Sequence, residues 1–246
     1  MSQYIFYLAS NSPALRAAGT ALKVAGYAIA STPCPQVTHV ILPVPVKADP
    51  DELLKQFPRN VTVIGGNLPT RLHERYQAID LLHDPQYLAH NAMITAYCAI
   101  RIAMMELPVT LLHCKTLLIG WGRISQCLAK LLLAIGADVT VAARKETDRA
   151  MAQALGCDAT GLSELSGQLP QYRLIFNTAP APVISAEESG QCHLDCIKID
   201  LASTQGIAGK HVIWARGLPG KDAPESSGTL IAQTILRLLQ EKEVSQ

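Results

Sequence analysis

The chain has almost no surplus of either charge: 21 lysines and arginines stand against 20 aspartates and glutamates, for a net charge of +1. So weak a field neither steers a polyanion nor holds an anionic lipid surface, and no nucleic acid or membrane partner is expected. Long apolar runs are also missing. No stretch approaches the roughly 20 residues that a bilayer crossing needs. The opening MSQYIFYLASNSP has neither the basic start nor the apolar core of a secretory leader, so a cytoplasmic protein is expected. Charged residues are only 17% of the chain and apolar ones 49%, which excludes disorder and suits an α/β core buried on both sheet faces. Seven cysteines, scattered through apolar segments, fit reduced core thiols better than a disulfide frame. Cys192 and Cys196 are four apart, but no second Cys or His pair stands at finger spacing, and no metal site is expected.

At 246 residues the chain is long for one domain and short for two ordinary ones, so a compact pair is the natural expectation. Its most informative unit is Lys115–Arg144, KTLLIGWGRISQCLAKLLLAIGADVTVAAR. The apolar run Thr116–Ile119 predicts a buried parallel strand, and Gly120 and Gly122 follow it with no room for a loop. An apolar stripe at helical spacing (Ile124, Leu128, Leu131, Leu132, Ile135) starts at once and stops at Gly136, the usual left-handed helix terminator. Asp138–Ala142 supplies a second strand. In such a turn the first glycine makes the bend and the second lets the backbone approach a pyrophosphate, whose charge faces the free N–H groups of the helix start. Ser125 stands at the third glycine position, where it still packs but holds the helix slightly farther from the strand. Two glycines alone are a weak signal; the complete strand–turn–helix–strand context points to dinucleotide binding.

The second strand lacks an acid at its end. A site for NAD places Asp or Glu there to accept from the ribose 2′-hydroxyl, whereas this chain offers Ala142, Ala143, Arg144 and Lys145. Charge-assisted hydrogen bonds contribute about 1.5–3 kcal/mol each, so one well-placed arginine favours NADP by roughly ten- to a hundredfold. NADP is therefore the expected cofactor; a merely solvated basic loop is the alternative.

The chain divides near residue 90. Tyr4–Ala9 reads as a strand, and Asn11-Ser12-Pro13 caps an Ala-rich helix that ends at Gly26. Tyr27–Ala30 and His39–Val44 are further strands, Asp49-Pro50 opens a helix through Phe57, and Val61–Ile64 runs into Gly65-Gly66-Asn67. This pattern predicts a small flavodoxin-like sheet, with no G-x-G after its first strand. Asn91–Leu107 is expected as a connecting helix along a cleft, ending at Pro108. Beyond Arg144 come a helix over Glu146–Leu155 and strands at Leu174–Phe176, Cys196–Ile199 and Val212–Ala215. The final helix, 226–243, carries Leu230, Ile231, Ile235, Leu236, Leu238 and Leu239 at helical spacing and is expected to return to the first domain. The fold class is thus α/β: a Rossmann-type doubly wound parallel sheet over 91–225 plus a smaller flavodoxin-like N-terminal sheet over 1–90.

Ligands of such sheets sit outside the carboxyl ends of the strands. Those ends are Gly120-Trp121-Gly122-Arg123 (then Ile124), Asn177-Thr178-Ala179-Pro180, Asp200-Leu201-Ala202-Ser203-Thr204 and Gly217-Leu218-Pro219-Gly220-Lys221. With Ala143, Arg144 and Lys145 they give the expected cofactor contacts: Gly120 to Ile124, Asn177 to Pro180, Leu218 and Gly220. None of the seven histidines (His39, His73, His83, His90, His113, His193, His211) falls in these loops, and a structural role is expected for each. The acid or base is not identified; Asp200 and Lys221 are the candidates.

The segments GWGRIS, AAR, NTAP, IDLAST and GLPGKDAP together resemble the A-type subunits of dipicolinate synthase, from about HVILPV to the final helix and most strongly from the glycine turn onward. A broader similarity to D-2-hydroxyacid dehydrogenases is confined to the nucleotide domain, and the Arg–Glu–His set of those enzymes is incomplete: Arg216 and Glu225 are present but no His follows. The resemblance implies an NADP-dependent oxidation of a dihydrodipicolinate-type cyclic dicarboxylate, a small dicarboxylate substrate, a homo-oligomer and a flavoprotein-like second subunit. It also implies that Asn67, Asn91 and Thr95 line one side of the substrate site and Asp200, Ala202, Ser203, Gly220 and Lys221 the other. Lys221, Arg71 and Arg123 are the cations nearest these segments, any of which could pair a carboxylate. The chain departs from the family's N-A-x-P-T-A-E-G at Tyr97 and Cys98, and has Ser125 and Glu225 where the family has Gly and Lys. Two other functions fit these departures: a nucleotide-binding module without turnover, or an NADP reductase of another small carboxylate.

Overall fold

Short strands and glycine stops in the first ninety residues build a five-stranded sheet in the computed structural model, which describes residues 4–244. Its strands are β1 (Ile5–Leu8), β2 (Ala28–Ala30), β3 (His39–Ile41), β4 (Thr62–Gly65) and β5 (Gln77–Asp80). All neighbours pair in parallel, in the order β2-β1-β3-β4-β5, the flavodoxin-like order. Helix α1 (Pro13–Val24) starts where the Ser12 hydroxyl accepts from the Leu15 N–H at 3.4 Å and Pro13 presets the first turn. Gly26, with φ +90°, turns the chain back toward β2. The last helix of the chain, Pro224–Val244, packs on α1 so closely that a Cβ at Gly228 would run into the Ala14 carbonyl and the Ala18 nitrogen. Only a glycine permits that approach, which is why a helix-weakening residue sits in a helix interior.

The chain forms two compact units, residues up to Asn91 together with those from Pro219 onward, and Ala92–Leu218. Five residues of the expected substrate and cofactor sets, Asn67, Arg71, Asn91, Gly220 and Lys221, thus belong to the first unit. After α2 (Asp51–Leu54) and α3 (Thr70–Arg75), helix α4 (Pro85–Glu106) runs through the division. It begins six residues before the expected Asn91, because the Asp84 carboxylate accepts from the Tyr87 N–H at 2.7 Å and Pro85 suits a first turn. It stops before Pro108 as expected. The helix expected through Phe57 is a single turn, and β5 and α3 carry too few apolar residues to announce themselves.

In the second unit β6 (Lys115–Ile119), α5 (Arg123–Ile135), β7 (Asp138–Ala142), α6 (Glu146–Ala154) and β8 (Asp158–Thr160) alternate without interruption. There follow β9 (Leu174–Asn177), α7 (Ala186–Gln191), β10 (Ile197–Asp200), β11 (Val212–Trp214) and α8 (Leu218–Asp222); the last helix is α9. The sheet is parallel throughout, in the order β11-β10-β9-β6-β7-β8. Counted from β6 this is 6-5-4-1-2-3, the doubly wound nucleotide-binding order, with its switch point between β6 and β9. Leu117, Leu118, Ile119, Val141, Leu174, Ile175 and Phe176 are fully buried in it, each contributing about 1.5–3 kcal/mol through burial. No helix among the described residues is long and apolar enough to cross a membrane.

Candidate functional site

The parallel register of the second sheet puts the carboxyl ends of β6, β7, β9 and β10 on one edge, so the site is built from the turns that leave them. Gly120 ends β6 at φ +94°, a left-handed backbone that strains any side chain, and a Cβ there would lie 2.7 Å from Thr178 Oγ1. Thr178 is held in place by Ile119, whose carbonyl accepts from its N–H at 2.9 Å and from its hydroxyl at 3.0 Å. Gly122 is different: its backbone is extended (φ −82°, ψ −179°) and a Cβ would meet nothing within 4 Å. The space beside it is open. No side chain caps α5 at this end, so first-turn N–H groups of Arg123, Ile124 and Ser125 have no side-chain partner at Gly122. An open cradle at a helix start, with Arg123 exposed beside it, fits a diphosphate. Ser125 is fully buried, and its hydroxyl finds no hydrogen-bond partner among the described residues. Gly136 terminates α5 in the left-handed region at φ +87°.

At the end of β7, Ala143 is buried and donates its N–H to the Thr160 carbonyl of β8 at 3.2 Å, while Arg144 and Lys145 are exposed. Among the described residues no carboxylate is paired with either. Sequence reasoning missed Arg149, whose Nη1 donates to the carbonyls of both Ala143 and Arg144 at 3.0 Å. The one signal in the sequence was a basic residue in the first half of α6, at the end of a helix whose dipole favours acids.

Asp200 is fully engaged within the chain. Its side chain is fully buried, with Oδ1 accepting from Asn177 Nδ2 and the Ala202 N–H, both at 3.0 Å, and Oδ2 from the N–H groups of Gly206 (2.7 Å) and Ile207 (2.9 Å). Four donors use the carboxylate's four lone-pair sites, so Asp200 organises the loop after β10. The expected contacts Asn177 and Ala202 are spent in the same network. The buried Asn177 amide donates to the Ala179 carbonyl and accepts from its N–H, and the Ala202 carbonyl accepts from Trp214 Nε1 at 3.1 Å. Gly206 closes the loop because a Cβ there would strike the Ala181 carbonyl. Ser203 and Pro180 remain exposed, while Leu218 is buried in α8, where a loop was expected.

Two further expected residues have partners of their own. Arg71 is not a free cation: it pairs with Asp49 at 2.7 Å and Asp51 at 3.3 Å. Asn67 is exposed and left-handed (φ 56°), held by its N–H donating to Asp80 at 3.0 Å. Lys221 is exposed, and Thr95 is buried in α4 in the second unit. The buried His39 is kept neutral, its pKa lowered to about 4 by desolvation and then by the charge of Lys242. Cys192 and Cys196 donate to the Glu188 and Ile197 carbonyls at 3.8 and 3.9 Å, and the influence of each thiol on the other holds Cys192 below its usual range and pushes Cys196 up. Among the described residues no three His, Cys, Asp or Glu side chains gather as a metal site would require.

No family model matches the chain. It is 25% identical over 165 residues to a dipicolinate synthase subunit of Bacillus subtilis, a match covering 64% of this chain and 56% of that protein. It is 29% identical over 153 residues to glutamyl-tRNA reductase of Idiomarina loihiensis, covering 58% of this chain and 36% of that one. The chain thus matches little more than half of one of these relatives and about a third of the other. In fold it superposes on the corresponding dipicolinate synthase subunit of Bacillus halodurans with a TM-score of 0.81 at 20% identity, covering 96% of this chain and 97% of that one. It superposes on an L-alanine dehydrogenase with a TM-score of 0.68 at 12% identity, covering 95% and 88%. The chain therefore resembles the A-type subunits of dipicolinate synthase in both sequence and fold, on an architecture that dehydrogenases share.

Proposed function

We propose that the chain is an NADP-dependent oxidoreductase of the dipicolinate synthase kind, oxidising a dihydrodipicolinate-type cyclic dicarboxylate beside a flavoprotein-like second subunit. The observation that carries the reading is the pairing of an open glycine cradle at Gly122 with a β7 end that bears Arg144 and Lys145 and no acid. The similarity to dipicolinate synthase and the names of the other relatives, a reductase and a dehydrogenase, support redox chemistry. When bound, the nicotinamide supplies the hydride acceptor. The chain's own work is to hold the diphosphate on the N–H groups at the start of α5, to pair a 2′-phosphate with Arg144 and Lys145, and to keep the turns rigid through Thr178 and Asp200. Ser203 and Thr95 remain the candidate substrate contacts of the second unit, with Arg123 a cation for a carboxylate.

A fluorescence titration with NADPH and NADH tests this. Arg144→Ala is expected to weaken NADPH by about tenfold or more and to leave NADH nearly unchanged; equal losses remove the case for a 2′-phosphate pocket. A second reading, nucleotide binding without turnover, is favoured by the full commitment of Asp200, and is selected if NADPH binds but no cyclic imine dicarboxylate exchanges hydride with it.

A further inference from the structure

Arg149 sits where a cation is locally unfavourable. It lies in the first half of α6, whose opening turn carries Glu146 and Asp148 as the helix dipole prefers. A helical side chain leans toward the N-terminus and covers the turn before its own Cα, and this one reaches back to the junction with β7. There a single nitrogen, Nη1, donates to the Ala143 and Arg144 carbonyls, each at 3.0 Å. These carbonyls belong to the two residues on which a ribose 2′-substituent would bear in a fold of this order.

The rest of the junction is fastened from the other side. The Ala143 N–H donates to the Thr160 carbonyl, and Thr160 is itself braced: its hydroxyl donates to Glu164 at 3.0 Å and accepts from Gln168 Nε2 at 3.0 Å. Ala143 is therefore held through both its N–H and its carbonyl. Among the described residues Arg144 is held through its carbonyl alone, and its side chain leaves an anchored backbone into solvent. No side chain caps the start of α6 at Lys145. With Arg149 gone, two carbonyls would lose their donor and the backbone that aims Arg144 would be tied down only at Ala143.

We propose that Arg149 is a positioning residue that sets nucleotide choice, fixing the β7–α6 junction in the form that presents Arg144 to a 2′-phosphate. This inference rests on the NADP reading above. Arg149 acts on the discrimination between the two nucleotides rather than on their shared diphosphate, which belongs to the start of α5.

The test measures dissociation constants of NADPH and NADH for the full chain, for Arg149→Met and for Arg149→Lys, with circular dichroism to confirm folding. Arg149→Met is expected to reduce the preference for NADPH by about tenfold while NADH binding changes by less than about twofold. Arg149→Lys, which keeps a donor for the carbonyls, is expected to recover most of that preference. Equal weakening of both nucleotides in Arg149→Met, or an unchanged ratio, would overturn the role given to Arg149 and leave the NADP reading standing. A wild-type chain that binds NADH at least as well as NADPH overturns the NADP reading itself, before any variant is made.

Discussion

Asp200 and Asn177 face one another in register across the parallel strands β10 and β9, and the Asn177 amide donates to the Asp200 carboxylate at 3.0 Å. Around that contact four donors converge on one buried anion, and two loops are tied to each other. Asp80 plays the same part in the first sheet: from the end of β5 it accepts the N–H groups of Asn67, Leu68 and Leu82 at 2.7–3.0 Å. Each sheet thus ends a strand in an aspartate whose charge gathers loop N–H groups. Such an arrangement fixes the backbone of the loops it gathers, a holding task distinct from contact with a ligand.

Asp200→Asn tests that division of labour. Asparagine keeps the shape, but turns an NH2 group toward N–H donors that need an acceptor. Hydrogen bonds to a charged group contribute about 1.5–3 kcal/mol each, so a loss of about 2–4 kcal/mol in urea unfolding is expected. A variant of unchanged stability and abolished turnover would return Asp200 to the catalytic role.

Gly120 and Gly122 should separate folding from binding. Gly120→Ala adds a side chain at positive φ, which costs about 1–2 kcal/mol in strain, and places it against Thr178; stability should fall. Gly122→Ala adds a methyl group in open space on an extended backbone. Its unfolding free energy should stay within about 1 kcal/mol of wild type, while NADPH affinity drops about tenfold or more because the methyl stands where the diphosphate must approach. Calorimetric melting and nucleotide titration of the two variants give the comparison, and a Gly122→Ala chain that binds NADPH normally would move the diphosphate elsewhere.

The elements that position this site were legible because each carried its own punctuation. Gly120, Gly122 and Gly136 bracket α5, and apolar runs form the strands β6 and β9. What escaped was built from partners distant in sequence. The strands β5 and β8 are three or four residues with little apolar pattern, and take their form from the neighbours they pair with. Helix α9 starts at Pro224, two residues before the expected 226, and the glycine inside it at Gly228 has no evident reason until α1 is seen pressed against it. The loop closure by Asp200 depends on N–H groups six and seven residues away, and the reach of Arg149 to two backbone carbonyls has no sequence signature beyond an ill-placed charge.

His39 predicts how stability follows acidity. Its ring is 5% exposed, lies against Tyr4 and Phe6, and contacts the Thr38 hydroxyl through Nδ1 at 2.8 Å. Burial, reinforced by Lys242, lowers its pKa from 6.5 to about 4, so between those values the unfolded chain binds a proton that the folded chain refuses. Stability is therefore fully present above about pH 6.5 and falls as the pH drops toward 4, by as much as about 3 kcal/mol for a shift of this size. Urea unfolding midpoints measured from pH 7.5 to 4.5 should show that decline. His39→Phe, which keeps an aromatic ring between Tyr4 and Phe6 and cannot take the proton, should flatten the profile over the same range. If the variant keeps the wild-type slope, the acid sensitivity belongs to other groups and His39 is not the residue that must charge on unfolding.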